Sequence, residues 1–251
     1  MPNPADRVED LATTLGVVVA EELHSYRGYF PALYRQVTLR VRQGLSQGRF
    51  SDPLALSELT VRFAGRYLDA RHKPASDRAD CWDRAFDAAA QESPIVLQHL
   101  LLGINAHINF DLAIAAADTL TFLDRPAASL KTDFEGINEV LEELFPPVLK
   151  VVEKHSPGLP LSGIPRDADQ LLGVWGLGRA RAAAWRNTKL LLLSRAWSPG
   201  PAEYLLRVSM DEQAEVLARA ISLVPTGAVR SQEPKSPQEI AALVTDLNSI
   251  A

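Results

Sequence analysis

Residues 93–123 run from Ser93 to Leu123, and their middle part, residues 98–112, reads QHLLLGINAHINFDL. The stretch is apolar on nearly every side of a helix, yet it carries two histidines, two asparagines and an aspartate. A helix that is apolar all round belongs in the interior of a protein. A buried polar group left unpaired costs roughly 1–3 kcal/mol. The stretch therefore predicts a buried central helix over about 94–123 that holds either a structural hydrogen-bond network or a functional site.

The composition is that of a globular protein. The chain has 251 residues, 47% hydrophobic and 23% charged, with a net charge of −5, which argues against disorder. No basic run resembles a nucleic-acid footprint. Cys81 is the single cysteine, so no intrachain disulfide is expected. The N-terminal residues lack the order of a signal peptide, and we find no run of 18 apolar residues. We expect a cytoplasmic protein without nucleic-acid or membrane partners.

The remaining segments show helical periodicity and helix-start signals. Asp52-Pro53, Ser93-Pro94 and Ser236-Pro237-Gln238-Glu239 combine an N-cap residue with proline. Thr132 and Glu135 have capping-box spacing, and Pro146-Pro147 should kink or divide the helix that follows. No alternating β-branched run or hairpin turn suggests a strand. These patterns predict an all-α, single-domain bundle (1–251) of about 8–10 helices, with a possible internal seam at the loop 155–166.

Two polar stripes are expected on the central helix. With about 100° per residue, His107 and Asp111 lie one turn apart on one face, and Asn105 and Asn109 lie on the opposite face. A carboxylate one turn from an imidazole can orient it and fix its tautomer, as a general base requires. Gly103 lets a ligand or another helix approach closely.

Three interpretations of these polar residues remain open. They can cross-link helices, serve small-molecule chemistry, or bind a metal ion through His99, His107 and Asp111. Di-iron bundles need two Glu-x-x-His motifs, and only Glu21-x-x-His24 is present. Residues 176–182 (GLGRARA) superficially resemble a dinucleotide loop, but no strand precedes them.

The run at residues 98–112 resembles the signature of a bacterial family catalogued as domain of unknown function 5995. Supporting matches are LYRQVT (33–38), FAGRYL (63–68), CWDRAF (81–86), DFEGIN (133–138) and ARAAAW (180–185). The resemblance implies a soluble helical domain, and it loosely associates the chain with secondary-metabolite pathways. It also draws attention to groups that would surround the central helix, namely Arg66, Trp82, Asn138, Arg181 and Trp185.

Our leading hypothesis is a metal- and cofactor-independent enzyme with a small, largely apolar substrate, such as a polyketide-like natural-product intermediate. His107 would be the general acid/base and Asp111 its orienting partner, in cyclase, dehydratase or isomerase chemistry. The substrate-binding set would be His99, Asn105, Asn109, Arg66, Trp82, Asn138, Arg181 and Trp185. The alternatives are a metal-dependent hydrolase using His99, His107 and Asp111, and a non-catalytic binding or scaffold protein. All of these hypotheses are compatible with a homodimer.

Overall fold

Every regular element in the described part of the chain is helical. The computed structural model describes residues 3–159, 176–197 and 200–250, and no strand occurs among them. The α-helices are α1 (Pro4–Glu21), α2 (Tyr29–Ser46), α3 (Pro53–His72), α4 (Asp80–Ala89), α5 (Val96–Asn105), α6 (Leu112–Phe122), α7 (Ala127–His155), α8 (Leu177–Trp197), α9 (Pro201–Leu223), α10 (Gly227–Arg230) and α11 (Pro237–Asn248). The all-α prediction is confirmed.

The predicted central helix is present but is not a continuous α-helix. Helices α5 and α6 are joined by a π-helical segment, Ala106–Asp111, in which the Leu112 N–H donates to the carbonyl oxygen of His107. We refer to α5, this π segment and α6 together as the central rod. A π segment inserts one residue per turn relative to an α-helix. Residues after it are therefore rotated by about 100° from the positions expected for an uninterrupted α-helix.

The central rod contributes to all three hydrophobic clusters of the described residues. Val96 and Leu100 pack with α2, α7 and α11, Leu102 and Ala106 pack with α3, α4 and α9, and α6 packs with α3, α7 and α8. By length and composition Val96–Phe122 is apolar enough to cross a membrane, although it holds no unbroken run of 18 apolar residues, and 72% of its most apolar 18-residue part is buried inside the protein. Such burial is typical of a core helix.

Carboxylates far away in sequence cap α4 and α5 and hold the residues just before α3. Asp133 accepts from the N–H groups of Ser51 and Asp52 before α3, at 2.7 and 2.6 Å. Asp211 accepts from Asp80 and Cys81 at the start of α4, and Glu233 accepts from Val96 at the start of α5. The first N–H groups of a helix have no partner within the helix. These bonds satisfy them from residues 81 to 137 positions away.

The sequence signals for helix starts have mixed outcomes. Asp52 caps α3 and Ser236 forms a capping box with Glu239, as predicted. Ser93-Pro94 does not start α5, which begins at Val96 with Gln98 and Glu233 as its capping groups. The start predicted near Asp133 is also wrong, because α7 begins at Ala127.

Helix α7 runs without division through Pro146-Pro147. Buried side chains on both sides of the pair, including Leu144 and Val148, anchor the two halves in one core cluster. Most of the predicted 155–166 seam and residues 167–175 of the predicted following helix lie outside the described residues.

At Gly103, Phe30 of α2 comes very close to the central rod. A Cβ atom on Gly103 would lie 2.5 Å from Cδ2 and 2.6 Å from Cγ of Phe30. These atoms belong to the fixed base of an aromatic ring and not to a flexible tip. Glycine is therefore required here for packing between helices, one of the two roles that its position in the sequence suggested.

We expect Gly103→Ala to destabilise the protein by about 1–3 kcal/mol, because the added methyl group overpacks the contact with Phe30. Urea denaturation measures the change. Gly65→Ala is the matched control, because a Cβ atom there meets nothing within 4 Å. It should stabilise α3 by about 0.5–1 kcal/mol through helix propensity. Equal effects of the two substitutions would contradict the packing role of Gly103.

Candidate functional site

The π segment places a buried imidazole beside a buried carboxylate. His107 Nδ1 lies 3.2 Å from Asp111 Oδ2, and the two residues are 3% and 1% exposed. Single-turn π segments often occur at functional sites. The contact between positions i and i+4 that the sequence predicted is therefore made, although the local helix is wider than assumed.

Asp111 also binds two neighbouring helices. Its Oδ1 accepts from Arg66 Nε of α3 at 2.8 Å, and its Oδ2 accepts from Trp82 Nε1 of α4 at 2.9 Å. The carboxylate thus has one cationic donor and two ring N–H donors around it. The family resemblance drew attention to Arg66 and Trp82, and the structure places both beside Asp111. Neither residue lines the internal cavity that contains His107.

The hydrogen bond fixes the tautomer of His107. An ionised carboxylate only accepts hydrogen bonds, so the imidazole proton must sit on Nδ1. Nε2 is then left with a lone pair, and it has no hydrogen-bond partner among the described residues. Burial lowers the pKa of His107, although Asp111 opposes this effect. The imidazole is therefore neutral at neutral pH and able to accept a proton.

Aromatic rings surround the imidazole. Phe63 stacks on it with 3.5 Å between ring centroids and an interplanar angle of 7°. Tyr34 contacts it edge-on at 4.5 Å, and Phe30 does so at 5.6 Å. Neither Phe63 nor Tyr34 was a predicted site residue. The aromatic-rich segment 26–34 was the available signal for Tyr34, whereas Phe63 looked like an ordinary core position of an amphipathic helix.

His107 lines an apolar cavity of about 90 Å³ between α2, α3, the central rod, α7 and α8. The wall consists almost entirely of aliphatic and aromatic side chains. The exceptions among the described residues are His107, Tyr34, Thr38, Thr60 and Arg181. The hydroxyls of Thr38 and Thr60 are used within their own helices.

Two polar atoms of the cavity-lining residues are unpaired within the described part of the chain, His107 Nε2 and the Tyr34 hydroxyl. Burial, with a smaller contribution from Asp111, raises the pKa of Tyr34 well above its ordinary value. Tyr34 therefore remains a phenol that can donate a hydrogen bond. Buried polar groups without partners are rare and call for a physical explanation.

Arg181 also forms part of the cavity wall. Its Nε donates to Asn138 Oδ1 at 2.6 Å and its Nη2 donates to the carbonyl oxygen of Phe134. Trp185, one turn further along α8, packs on the Phe134 ring with 4.8 Å between centroids. Asn138 and Trp185 thus support Arg181 and Phe134, and neither lines the cavity.

The other predicted binding residues lie elsewhere. Asn105 donates to the carbonyl oxygen of Ala214 on α9 at 2.8 Å and accepts from Asn109 at 2.9 Å. These two asparagines link the central rod to α9, as the structural interpretation required. His99 stacks on Tyr26 at 4.9 Å, in a separate cluster, and burial lowers its pKa to about 4.

The three residues named for a metal site do not converge. Across residues 3–159, 176–197 and 200–250, no group of three His, Cys, Asp or Glu side chains is placed to hold a metal ion. The hydrolase alternative with His99, His107 and Asp111 as ligands therefore has no geometric basis. Cys81 is buried, and burial raises the pKa of its thiol, so it remains an unreactive thiol.

A polar surface groove of about 320 Å³ lies on the other side of Asp111. Arg66, Trp82 and Asp111 line it together with residues of α9 such as Tyr204 and Asp211. A chain of contacts therefore leads from the groove through Asp111 to His107 and the apolar cavity.

Fold and site together define an all-α protein with a His–Asp pair at the wall of an apolar internal cavity. A family model described as "Family of unknown function (DUF5995)" matches residues 7–224, and the chain belongs to that family. Comparison with curated proteins found no match, and neither did comparison with solved structures.

The buried histidines predict a pH dependence of stability. The pKa of His99 is about 4 in the native state and about 6.5 when unfolded. Between these values the unfolded state binds the extra proton, so stability is complete above pH 6.5 and falls as the pH drops towards 4. One such group contributes a slope of up to about 1.4 kcal/mol per pH unit.

We expect His99→Phe to flatten the pH dependence of the free energy of unfolding, measured by urea denaturation between pH 7 and 5. His72→Phe, at an exposed position, serves as the control and should retain the slope of the original protein. An unchanged slope in His99→Phe would show that the loss of stability has another origin.

Proposed function

We propose that this protein is an enzyme that binds a small, largely apolar molecule in the internal cavity and transfers a proton with His107. The observation that carries the proposal is the unpaired Nε2 lone pair of a neutral imidazole whose Nδ1–H is held by Asp111. General bases are commonly oriented by a carboxylate in this way.

The cavity supports the other half of such a reaction. The Tyr34 hydroxyl, a donor without a partner among the described residues, belongs to the same wall as His107. A donor can bind a carbonyl oxygen and stabilise the negative charge that develops when a neighbouring C–H bond is broken. Removal of a proton next to a carbonyl, followed by its return to another atom, is the step shared by isomerases, dehydratases and many cyclases.

The size of the cavity limits the substrate. Its volume of about 90 Å³ is below that of the engineered cavity of about 150 Å³ that binds benzene. A fused-ring polyketide-like intermediate would require the surrounding helices to move apart. A small aliphatic carbonyl compound is the better match to the cavity as it stands.

A non-catalytic role is the second candidate for some of the polar residues. Asn105, Asn109 and Asp133 form hydrogen bonds to other parts of the protein, and these bonds support a scaffold role for the three residues. The same reasoning does not extend to His107 and Tyr34, each of which has an unused polar atom.

Exchange of the α-protons of butanone in D₂O, followed by proton NMR, tests the proposal with a substrate small enough for the cavity. The protein should accelerate exchange over buffer. His107→Asn should reduce the protein-dependent rate by about 100-fold or more, the usual contribution of a general base.

His72→Asn provides the matched control, because His72 is exposed, and it should exchange butanone at the rate of the original protein. Circular dichroism checks that both variants fold. Exchange by folded His107→Asn at the original rate would refute His107 as the base.

A further inference from the structure

Arg181 is the most unusual charged group in the described part of the chain. It lies on α8, is only 4% exposed, and forms part of the cavity wall. Arginine is almost never fully buried unless it is paired.

The partners of Arg181 among the described residues are neutral. It donates to an amide oxygen of Asn138 and to a backbone carbonyl of Phe134, and its guanidinium lies 4.7 Å from the centroid of the Phe134 ring. No carboxylate of the described residues lies within 4 Å of it. Other partly buried arginines are paired: Arg66 with Asp111, Arg84 with Glu215 and Arg195 with Asp118.

The guanidinium nevertheless remains charged. Burial lowers the pKa of Arg181 to about 10, so the group is still protonated at pH 7. An uncompensated buried charge is costly. The two hydrogen bonds use two of the five N–H donors that a guanidinium carries, and the planar fork matches a carboxylate. A carboxylate brought into the cavity would provide the missing negative charge.

The shape of the cavity defines the rest of the ligand. The volume is only about 90 Å³, yet residues of five elements line it, Phe30 and His107 as well as Phe145 and Arg181 among them. A small volume that touches so many residues is narrow. It suits a slender chain better than a ring, and apart from the few polar residues its wall is apolar.

Resting on the proposed function, we infer that the substrate is a short, unbranched monocarboxylate whose carboxylate binds Arg181 and whose chain lies in the apolar cavity lined by His107. Arg181 is then a binding residue that sets substrate class, and His107 removes a proton from a chain carbon next to a carbonyl group, as in the proposed function. Neutral molecules of equal size would bind less tightly.

NMR titration of the full-length protein at pH 7 tests this with butanoate, the isosteric neutral butanamide, and butylammonium. Signals of cavity side chains distinguish cavity binding from binding to surface cations. Butanoate should bind about tenfold or more tightly than butanamide, as expected for a charge-assisted hydrogen-bonded pair. Butylammonium should bind most weakly.

Arg181→Gln should abolish the preference for butanoate over butanamide, whereas Arg179→Gln, at an exposed position on the same helix, should retain it. If Arg181→Gln does not fold, the ranking of the three probes by the original protein decides the question alone. Butanamide binding in the cavity as tightly as butanoate would overturn the inference and leave the proposed apolar site intact. Failure of all three probes to perturb cavity signals would overturn both.

Discussion

The site depends on the hydrogen bonds that the buried carboxylate of Asp111 accepts. The carboxylate lies in the π segment of the central rod and is hydrogen-bonded by Arg66, Trp82 and His107. These donors come from α3, from α4 and from the rod itself. Removing the carboxylate would leave a cation and two N–H groups unpaired in the interior, each at a cost. The same bonds that join three elements therefore also decide which nitrogen of His107 carries the proton.

Two demands meet at the central rod. Its apolar surface must fill three hydrophobic clusters, and its polar residues must be satisfied away from water. Most of them are, through Asn105, Asn109 and Asp111. Among the described residues of the rod, the exceptions are His107 Nε2 and both ring nitrogens of His99. Of these two histidines only His107 lines the cavity, together with Tyr34, whose hydroxyl is also unpaired among the described residues.

Much of the fold could be predicted from the sequence, because it follows from local rules. Helical periodicity and the absence of strand patterns led to the all-α class, and Asp52 and Ser236 were recognisable as caps. The π segment was not predictable, because a one-residue change in winding leaves the apolar pattern of the rod intact. The starts of α5 and α7 were misplaced, since Glu233 caps α5 from far away and Pro126 precedes α7 without a side-chain cap.

Contacts between site residues could be predicted where both residues lie on the central rod. They could not be predicted where the residues come from different helices and meet through packing. His107 and Asp111 are neighbours in sequence, so their pairing could be predicted. Asn105 and Asn109 carry amide groups of the kind that bind ligands. Their hydrogen bonds instead link the rod to α9, which only the tertiary structure reveals. Phe63 and Tyr34 resemble ordinary core residues in the sequence, and their role depends on an imidazole that lies more than 40 residues further along the chain.

The distant capping carboxylates have a consequence for how the chain acquires its structure. Helical bundles usually fold quickly because their contacts are local. Here α4 has only ten residues and is too short to be stable alone in water, and α5 is the ten-residue first part of the central rod. The carboxylates that complete their first turns, Asp211 and Glu233, are more than 100 residues away. These capping bonds form only after the C-terminal third of the chain has been synthesised and has docked, so the first turns of α4 and α5 are completed late.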